Sequence, residues 1–249
     1  MNSKKTNNLI SVENAQEIIF SKFKKLETIK KKLIDSSGFI LEKEIKALFD
    51  LPNKNNSAMD GFAVRHEDLE PNKSLKVVGR VGAEAITDYV LKKDEALRIM
   101  TGSGIPEGAD SVVPFEKTNN NPHKGNDFPD SVLINETVKK GDNIRLSGQD
   151  YKFGETVVKG GMLIDPPIVG AIASFGINEV SVIRKPLVSV ISTGNELVMP
   201  GDKLKEGQIY DSNSFAISAA IKNSGADFKM HRILSDNKED VDKLYEDCS

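Results

Sequence analysis

Apolar positions change period several times along this chain, and each change marks an expected element. Ser11 is suited to cap a helix, with Glu13 near the positive end of its dipole. Ala15, Ile18, Ile19, Phe23 and Leu26 then recur at helical spacing. A second amphipathic helix is expected over residues 41–49, ended by Pro52 and the asparagines after it. From Leu75 to Arg145 the texture turns to short apolar runs between glycine turns. Residues 75–78, 96–100, 111–115 and 131–134 read as strands of a small all-β domain. The polar stretch 119–129 between two of them reads as an exposed loop. Further on, Gly160-Gly161 predicts a hairpin-like turn. Pro166-Pro167 opens a short helix that Gly176 closes, and residues 179–183 alternate as a strand.

After Pro186 the pattern becomes α/β. Residues 187–191 form an apolar run typical of a buried parallel strand. A helix is expected over 214–223 with Gly225 at its end, then a strand over 228–234. Asp236 caps a final helix, with Glu239 three residues on as a capping-box partner. Such a series needs further parallel strands to cover it. The chain is therefore expected to be part of a longer protein, or to have its last domain completed by a partner.

Bulk properties narrow the class. A net charge of −3 with 29% charged residues argues against a nucleic-acid binder. The lysines of residues 22–32 read as the wet face of a helix. The absence of Trp and the 6% aromatic content argue against a stacking platform for single strands. One cysteine, Cys248, excludes a disulfide framework and suits a reducing compartment. No apolar run is long enough to span a membrane, and no signal peptide is visible. A cytoplasmic protein with no membrane partner is expected.

Candidate chemistry sits in four loops. In Ser57-Ala58-Met59-Asp60-Gly61, a positive φ at Gly61 would turn the chain and present Asp60 outward, and Phe62 and Val64 then start a strand. In Met100-Thr101-Gly102-Ser103-Gly104, amides and hydroxyls could cradle an anion, although from the residues alone a plain glycine turn between strands is the stronger reading. Asp150 follows Gly148-Gln149 near an expected domain border. Ser192-Thr193-Gly194-Asn195-Glu196 lies at the carboxyl end of the buried parallel strand, where open α/β sheets place ligands. There Thr193 could bond a phosphate and Glu196 a metal. Residues 211–214 open the next helix, where free amides favour an anion, though ordinary capping explains them as well. His66, His123 and His231 are far apart in sequence and give no zinc pattern. With acids as the recurring polar element, Mg²⁺ is the best metal candidate.

Taken in order, the Ser-Ala-Met-Asp-Gly segment, the Arg98-Ile99-Met100-Thr101-Gly102 segment with Pro106-Glu107-Gly108-Ala109-Asp110, and Ser-Thr-Gly-Asn-Glu-Leu resemble the MoeA family of molybdopterin molybdenumtransferases, whose module also forms the E domain of gephyrin. The resemblance runs from about Ser11 to Ser249. It implies an enzyme of molybdenum cofactor biosynthesis that inserts molybdenum from molybdate into adenylylated molybdopterin, with Mg²⁺ taking part and AMP released. It implies a homodimer acting downstream of a molybdopterin-adenylylating enzyme. The implied fold is multidomain α+β: a discontinuous mixed helix/strand domain one (8–50 and 147–185), an inserted β-rich domain two (51–146), and part of a three-layer α/β domain three (186–249). The catalytic positions carried over are Asp60, Thr101, Asp150 and Glu196. Thr193, Gly194, Ser212 and Ser214 are the expected cofactor-binding residues, and Asp60, Glu196 and Asp236 the expected metal ligands. In the family, domain two of one subunit faces domain three of the other, so Asp60 and Glu196 are expected to face one ligand across a dimer. Phe62 stands where Tyr is usual, and Asn195 where Asp is common. The family's Ser-Gly-Gly-Val-Ser segment and fourth domain do not occur in this sequence, so the chain alone is not expected to complete the reaction. A non-catalytic docking scaffold of the gephyrin E-domain type is the alternative, and the retained acids weigh against it.

Overall fold

The computed structural model describes residues 10–82, 88–119 and 129–231. In chain order the first elements are α1 (Val12–Lys22), β1 (Thr28–Lys32) and β2 (Ile40–Leu41). The middle of the chain supplies β3 (Ile45–Lys46), β4 (Asn56–Ser57), β5 (Gly61–Val64), β6 (Ser74–Val81), β7 (Glu95–Ile99), β8 (Ser111–Pro114), β9 (Ser131–Leu133), β10 (Ile144–Arg145) and β11 (Thr156–Val158). Then follow α2 (Pro166–Ala173), β12 (Glu179–Ile183), β13 (Leu187–Val190), β14 (Leu197–Val198), β15 (Ile209–Tyr210), α3 (Ser212–Asn223) and β16 (Asp227–Met230). The architecture is mixed α+β with few helices and many strands. It divides into two compact units, with boundaries at Glu44/Ile45 and Val157/Val158.

The inner unit is built on a five-stranded sheet in the order β8-β5-β7-β6-β9. Its strands are the four apolar runs of the sequence plus the one that follows Asp60. β5 lies between β8 and β7, antiparallel to both, and all four of its residues are buried. Alternation along the strands divides the core between two faces. Phe62, Val64, Val77, Ala96, Val113, Phe115, Val132 and Ile134 pack on one; Ala63, Val81, Leu91, Leu97, Ile99 and Val112 pack on the other. The Phe62 and Phe115 rings meet edge to face at 5.4 Å, a favoured aromatic geometry.

In the outer unit β12 pairs antiparallel with both β1 and β2. Asp165 caps α2, accepting the Ile168 amide at 2.9 Å, and prolines occupy its first turn. The C-terminal part holds a parallel pair, β13 with β16, connected through α3. Asp211 caps α3, and Gly225, at φ 86°, follows its end.

Three sequence expectations change. Residues 41–49 are not a helix: Leu41 pairs with β12, and β3 pairs with β11. The apolar spacing there suits a helix locally, but two long-range ladders claim the backbone. The segments flanking Gly160-Gly161 do not pair with each other as a hairpin. β11 joins β3, whereas Gly161 and Ile164 donate to Leu41 and Phe39 carbonyls, both at 2.8 Å. The first helix is shorter than its apolar pattern: Ser11 caps it through the Asn14 amide at 3.1 Å, but it stops at Lys22, with Phe23 extended. None of its residues is buried, and Ile18, Ile19, Phe20 and Phe23 are all more than half exposed. Most of the expected 119–129 loop and the whole final helix with Asp236 lie outside the described residues.

Candidate active site

The register of β5 against β7 creates the first cluster. Gly61, at the start of β5, lies opposite Ile99, at the end of β7. The residue before one strand and the turn after the other must therefore meet. The Thr101 amide and hydroxyl both donate to Asp60 Oδ1, each at 2.7 Å, although the residues are 41 positions apart. Further bonds lace the two loops together: Gly102 N–H to the Ser57 carbonyl (2.8 Å) and Ser57 N–H to the Ser103 carbonyl (2.9 Å). Asp60 Oδ2 carries no hydrogen bond among the described residues and is the open face of the carboxylate.

Gly61 works differently from the expectation. Its φ is not positive. It is glycine because β8 passes so closely that a Cβ there would lie 2.1 Å from the Val113 carbonyl oxygen. The Pro-Glu-Gly-Ala-Asp segment is structural. Gly108 needs its positive φ of 87° and sits against the Leu91 carbonyl, and Asp110 Oδ1 accepts the His66 amide at 2.6 Å.

A second cluster surrounds Asp150, which forms an ion pair with Arg145. Both line a cleft of about 410 Å³ with Leu51, Asn53 and Asn56. Arg145 lies opposite Asn56 in the β4–β10 ladder, and Ser57, next along β4, leads to Asp60. Two-residue β4 thus joins the Asp150 cleft to the Asp60–Thr101 pair. Asn56 Oδ1 is buried without a hydrogen-bond partner among the described residues. Sequence reasoning missed Arg145 and Asn56. The only signal was position, three residues before Gly-Gln-Asp and one before Ser-Ala-Met-Asp-Gly.

The third cluster sits at the carboxyl end of β13. The Ser192 hydroxyl donates to Asp211 Oδ2 at 2.6 Å and is in hydrogen-bond contact with the Ser214 hydroxyl. Asp211 Oδ1 accepts the Ser214 amide at 3.1 Å. These residues line a cavity of about 260 Å³ together with Thr193, Ser212 and Asn213. Gly194 and Glu196 lie beside this cavity without lining it. The Glu196 carboxylate folds over Gly194, 2.8 Å from where a Cβ would stand. Ser192 and Asp211 are the residues the sequence list lacked; Asp211 was legible only as a cap.

Burial pushes the Asp211 carboxyl up, but the Ser192 and Ser214 hydroxyls and the Ser214 and Asn213 amides outweigh it and hold it below the ordinary carboxylate value. A depressed carboxylate stabilises the fold above its unfolded pKa, ~3.9, and that stabilisation is lost as pH falls through the folded value. Asp211→Ala therefore costs about 1–3 kcal/mol at neutral pH, from the lost cap and unpaired hydroxyls. In urea unfolding the gap between variant and wild type narrows below about pH 4; a gap independent of pH would contradict this account.

Among the described residues, no group of three or more His, Cys, Asp or Glu is placed to hold a metal. Asp236 lies outside the described residues. No described helix is long and apolar enough to cross a membrane.

Comparison with known proteins gives these clusters a context. Residues 10–176, well over half of the chain, match the model of the MoeA N-terminal region (domain I and II). The chain belongs to the MoeA family. Residues 189–247 match a probable molybdopterin binding domain. Molybdopterin molybdenumtransferases from Staphylococcus epidermidis and Staphylococcus aureus strain Mu50 are 36% and 35% identical over 235 residues, 92% of this chain and 54% of theirs. The chain thus spans about half the length of the curated relatives it matches. Two structures of a molybdopterin biosynthesis MoeA protein from Pyrococcus horikoshii superpose with TM-scores of 0.76 and 0.83, at 33% and 27% identity. Each covers 96% of this chain, which in turn covers 61% and 64% of theirs. Within this MoeA-family chain, the Asp60–Thr101 and Arg145–Asp150 clusters fall in the region matched to domains I and II. The Ser192–Asp211–Ser214 cluster falls in the region matched to molybdopterin binding.

Proposed function

We propose that this chain carries the chemistry of a molybdopterin molybdenumtransferase: molybdenum from molybdate enters the dithiolene of adenylylated molybdopterin, and AMP is released. The observation that carries this reading is the Asp60–Thr101 pair. A carboxylate is fixed through one oxygen by two donors of a glycine turn while its other oxygen stays open. The cavity at the end of β13, lined by hydroxyls and the first residues of α3, suits the phosphorylated pterin.

Mg²⁺ fits this donor set. It needs only one or two carboxylates when substrate phosphates and water complete its shell, and Asp60 offers an open oxygen. Asp60 and Glu196 would hold it, with Asp236 as a further candidate. When bound, Mg²⁺ supplies charge neutralisation on the phosphates as the phosphoanhydride breaks. The chain's own residues do the rest: Thr101 orients Asp60, and Thr193, Ser212 and Ser214 position the pterin phosphate. We place the reaction in the cytoplasm, downstream of a molybdopterin-adenylylating enzyme. The active form is a homodimer through domains one to three, and the exposed apolar side chains of α1 support such association.

The test is a chimera in which residues 1–249 replace the matching segment of the S. epidermidis molybdopterin molybdenumtransferase. Given adenylylated molybdopterin, it should release AMP only when molybdate is present. Chelating Mg²⁺ should slow release at least ~10-fold, reversibly. A folded chimera that releases no AMP, or releases it without molybdate, would overturn the reading.

A further inference from the structure

The lysine-rich stretch 22–32 reads in sequence as the wet face of a helix, and the structure gives it another form. α1 stops at Lys22, and Thr28–Lys32 are strand β1. β1 is an edge strand: in the order β1-β12-β2 it has a neighbour on one side only. The register shows which of its backbone groups are left over. The Arg184 amide donates to the Glu27 carbonyl and the Leu33 amide to the Asn178 carbonyl, so residues 27 and 33, and with them 29 and 31, bond to the β12 side. The Ser181 carbonyl, opposite Lys30, turns away and accepts from the Glu42 amide on the β2 side. The N–H and C=O groups of Thr28, Lys30 and Lys32 therefore point outward, and among the described residues no strand meets them. All five positions of β1 pair in unbroken register, with no bulge to twist the edge away.

Two further features are continuous with this edge. One is positive charge on both faces. Lys30 and Lys32 stand exposed on one face with Glu179 beside them, and the 3.5 Å contact between Lys30 and Glu179 is a surface pair that solvent keeps weak. On the other face the Lys31 ammonium lies over the Phe39 ring at 5.0 Å, and the Lys185 ammonium lies over the same ring at 4.7 Å. The other feature is an open apolar groove of about 740 Å³ at the C-terminal end of β1. Leu33, Ile34, Val169, Ala173 and Ile177 line it, and Lys32 belongs to both edge and groove. Ile34 is 79% exposed.

Edge lysines commonly guard a sheet against pairing with another copy. That accounts for β1 not pairing with itself, since lysines would stand opposite lysines. It leaves the groove unexplained, and the charges that repel a second copy attract a strand that bears carboxylates. We propose that the β1 edge and this groove dock an extended acidic segment of a partner protein, added as a fourth strand of the sheet. Thr28, Lys30 and Lys32 supply the main-chain bonds. Alternate side chains share a face, so carboxylates two positions apart sit opposite Lys30 and Lys32. An apolar side chain beyond them fills the groove beside Ile34. Antiparallel pairing, the more stable ladder, puts that anchor at the segment's N-terminal end. This inference does not depend on the proposed reaction: the chimera could be inert and the edge would still bind.

The experiment uses the purified chain and a fluorescein-labelled synthetic peptide of two leucines followed by alternating glutamate and valine. Fluorescence anisotropy should show saturable binding that weakens as chloride is added. A scrambled peptide of the same composition should bind at least ~10-fold more weakly. Lys30→Glu combined with Lys32→Glu should abolish binding, and a peptide with lysine in place of glutamate should bind that variant instead. Ile34→Ser should weaken binding about 10-fold and leave its salt dependence unchanged. All three residues are exposed, so none of these changes attacks the core; if the double reversal nonetheless unfolds, Ile34→Ser and amide exchange decide. Residue-resolved exchange reports the geometry: the peptide should protect the Thr28, Lys30 and Lys32 amides and leave those of Ile29 and Lys31, already bonded to β12, unchanged. Absence of saturable binding, equal binding of the scrambled peptide, or protection confined to other amides overturns the proposal. So does equally tight binding of a single-stranded DNA oligonucleotide, which would make the lysines a general polyanion patch. Protection of the same amides that rises with protein concentration alone would make the edge an interface between copies, and overturns it too.

Discussion

Gly61→Ala is expected to lower the stability of the inner unit by about 3 kcal/mol or more, the upper end for an overpacked core. The added methyl would lie 2.1 Å from the Val113 carbonyl oxygen and 2.9 Å from Pro114 Cα. Those atoms are backbone, so no rotamer change relieves the contact. Nor can the strand shift away from β8, because β5 is bonded to β7 on its other side. Relief requires breaking part of the β5–β8 ladder, which also bears the Phe62 and Val113 packing. With a urea dependence of about 2 kcal/mol per molar, the unfolding midpoint should fall by roughly 1.5 M. Amide exchange at Val112 and Val113 should rise in step. A midpoint within about 0.2 M of wild type would show that the close approach is not real.

The same residue shows what a sequence can and cannot reveal. That a glycine is needed after Asp60 is legible; the reason is not. A positive φ is the usual cause, but the actual cause is a neighbouring strand that arrives some fifty residues later. Strands β6, β7, β8 and β9 were readable because each is a short apolar run between turn residues, and local pattern decides. Residues 41–49 failed for the opposite reason. Leu41, Ile45, Leu48 and Phe49 satisfy a helical period, yet the strands that pair with Leu41 and Ile45, β12 and β11, lie more than a hundred residues away. Long-range pairing overrides propensity in such short segments. In the site, Asp60 and Thr101 were each visible within a motif, but their contact follows only from the Gly61–Ile99 register. Arg145 was silent, because its significance comes entirely from what stands opposite it in a ladder.

The register that joins Asp60 to Thr101 also separates two roles for the carboxylate, and a pair of substitutions distinguishes them. Asp60→Ala in the chimera should reduce molybdate-dependent AMP release by about 10²–10³-fold, the range seen when one electrostatic group is removed from an active site. The fold should survive, since the side chain is only half-buried and loses just its bonds to Thr101, worth about 1 kcal/mol each. Asp60→Asn keeps an oxygen for the Thr101 amide and hydroxyl but removes the charge. If Asp60 acts by holding the Thr101 turn, Asn restores most of the activity. If it acts by presenting charge to a cation and phosphate, Asn is nearly as damaging as Ala. Oδ2, which accepts neither Thr101 bond, favours the second outcome: the turn needs one oxygen, and the other is left for chemistry. An Asp60→Ala chimera that is folded and fully active would remove Asp60 from the mechanism altogether.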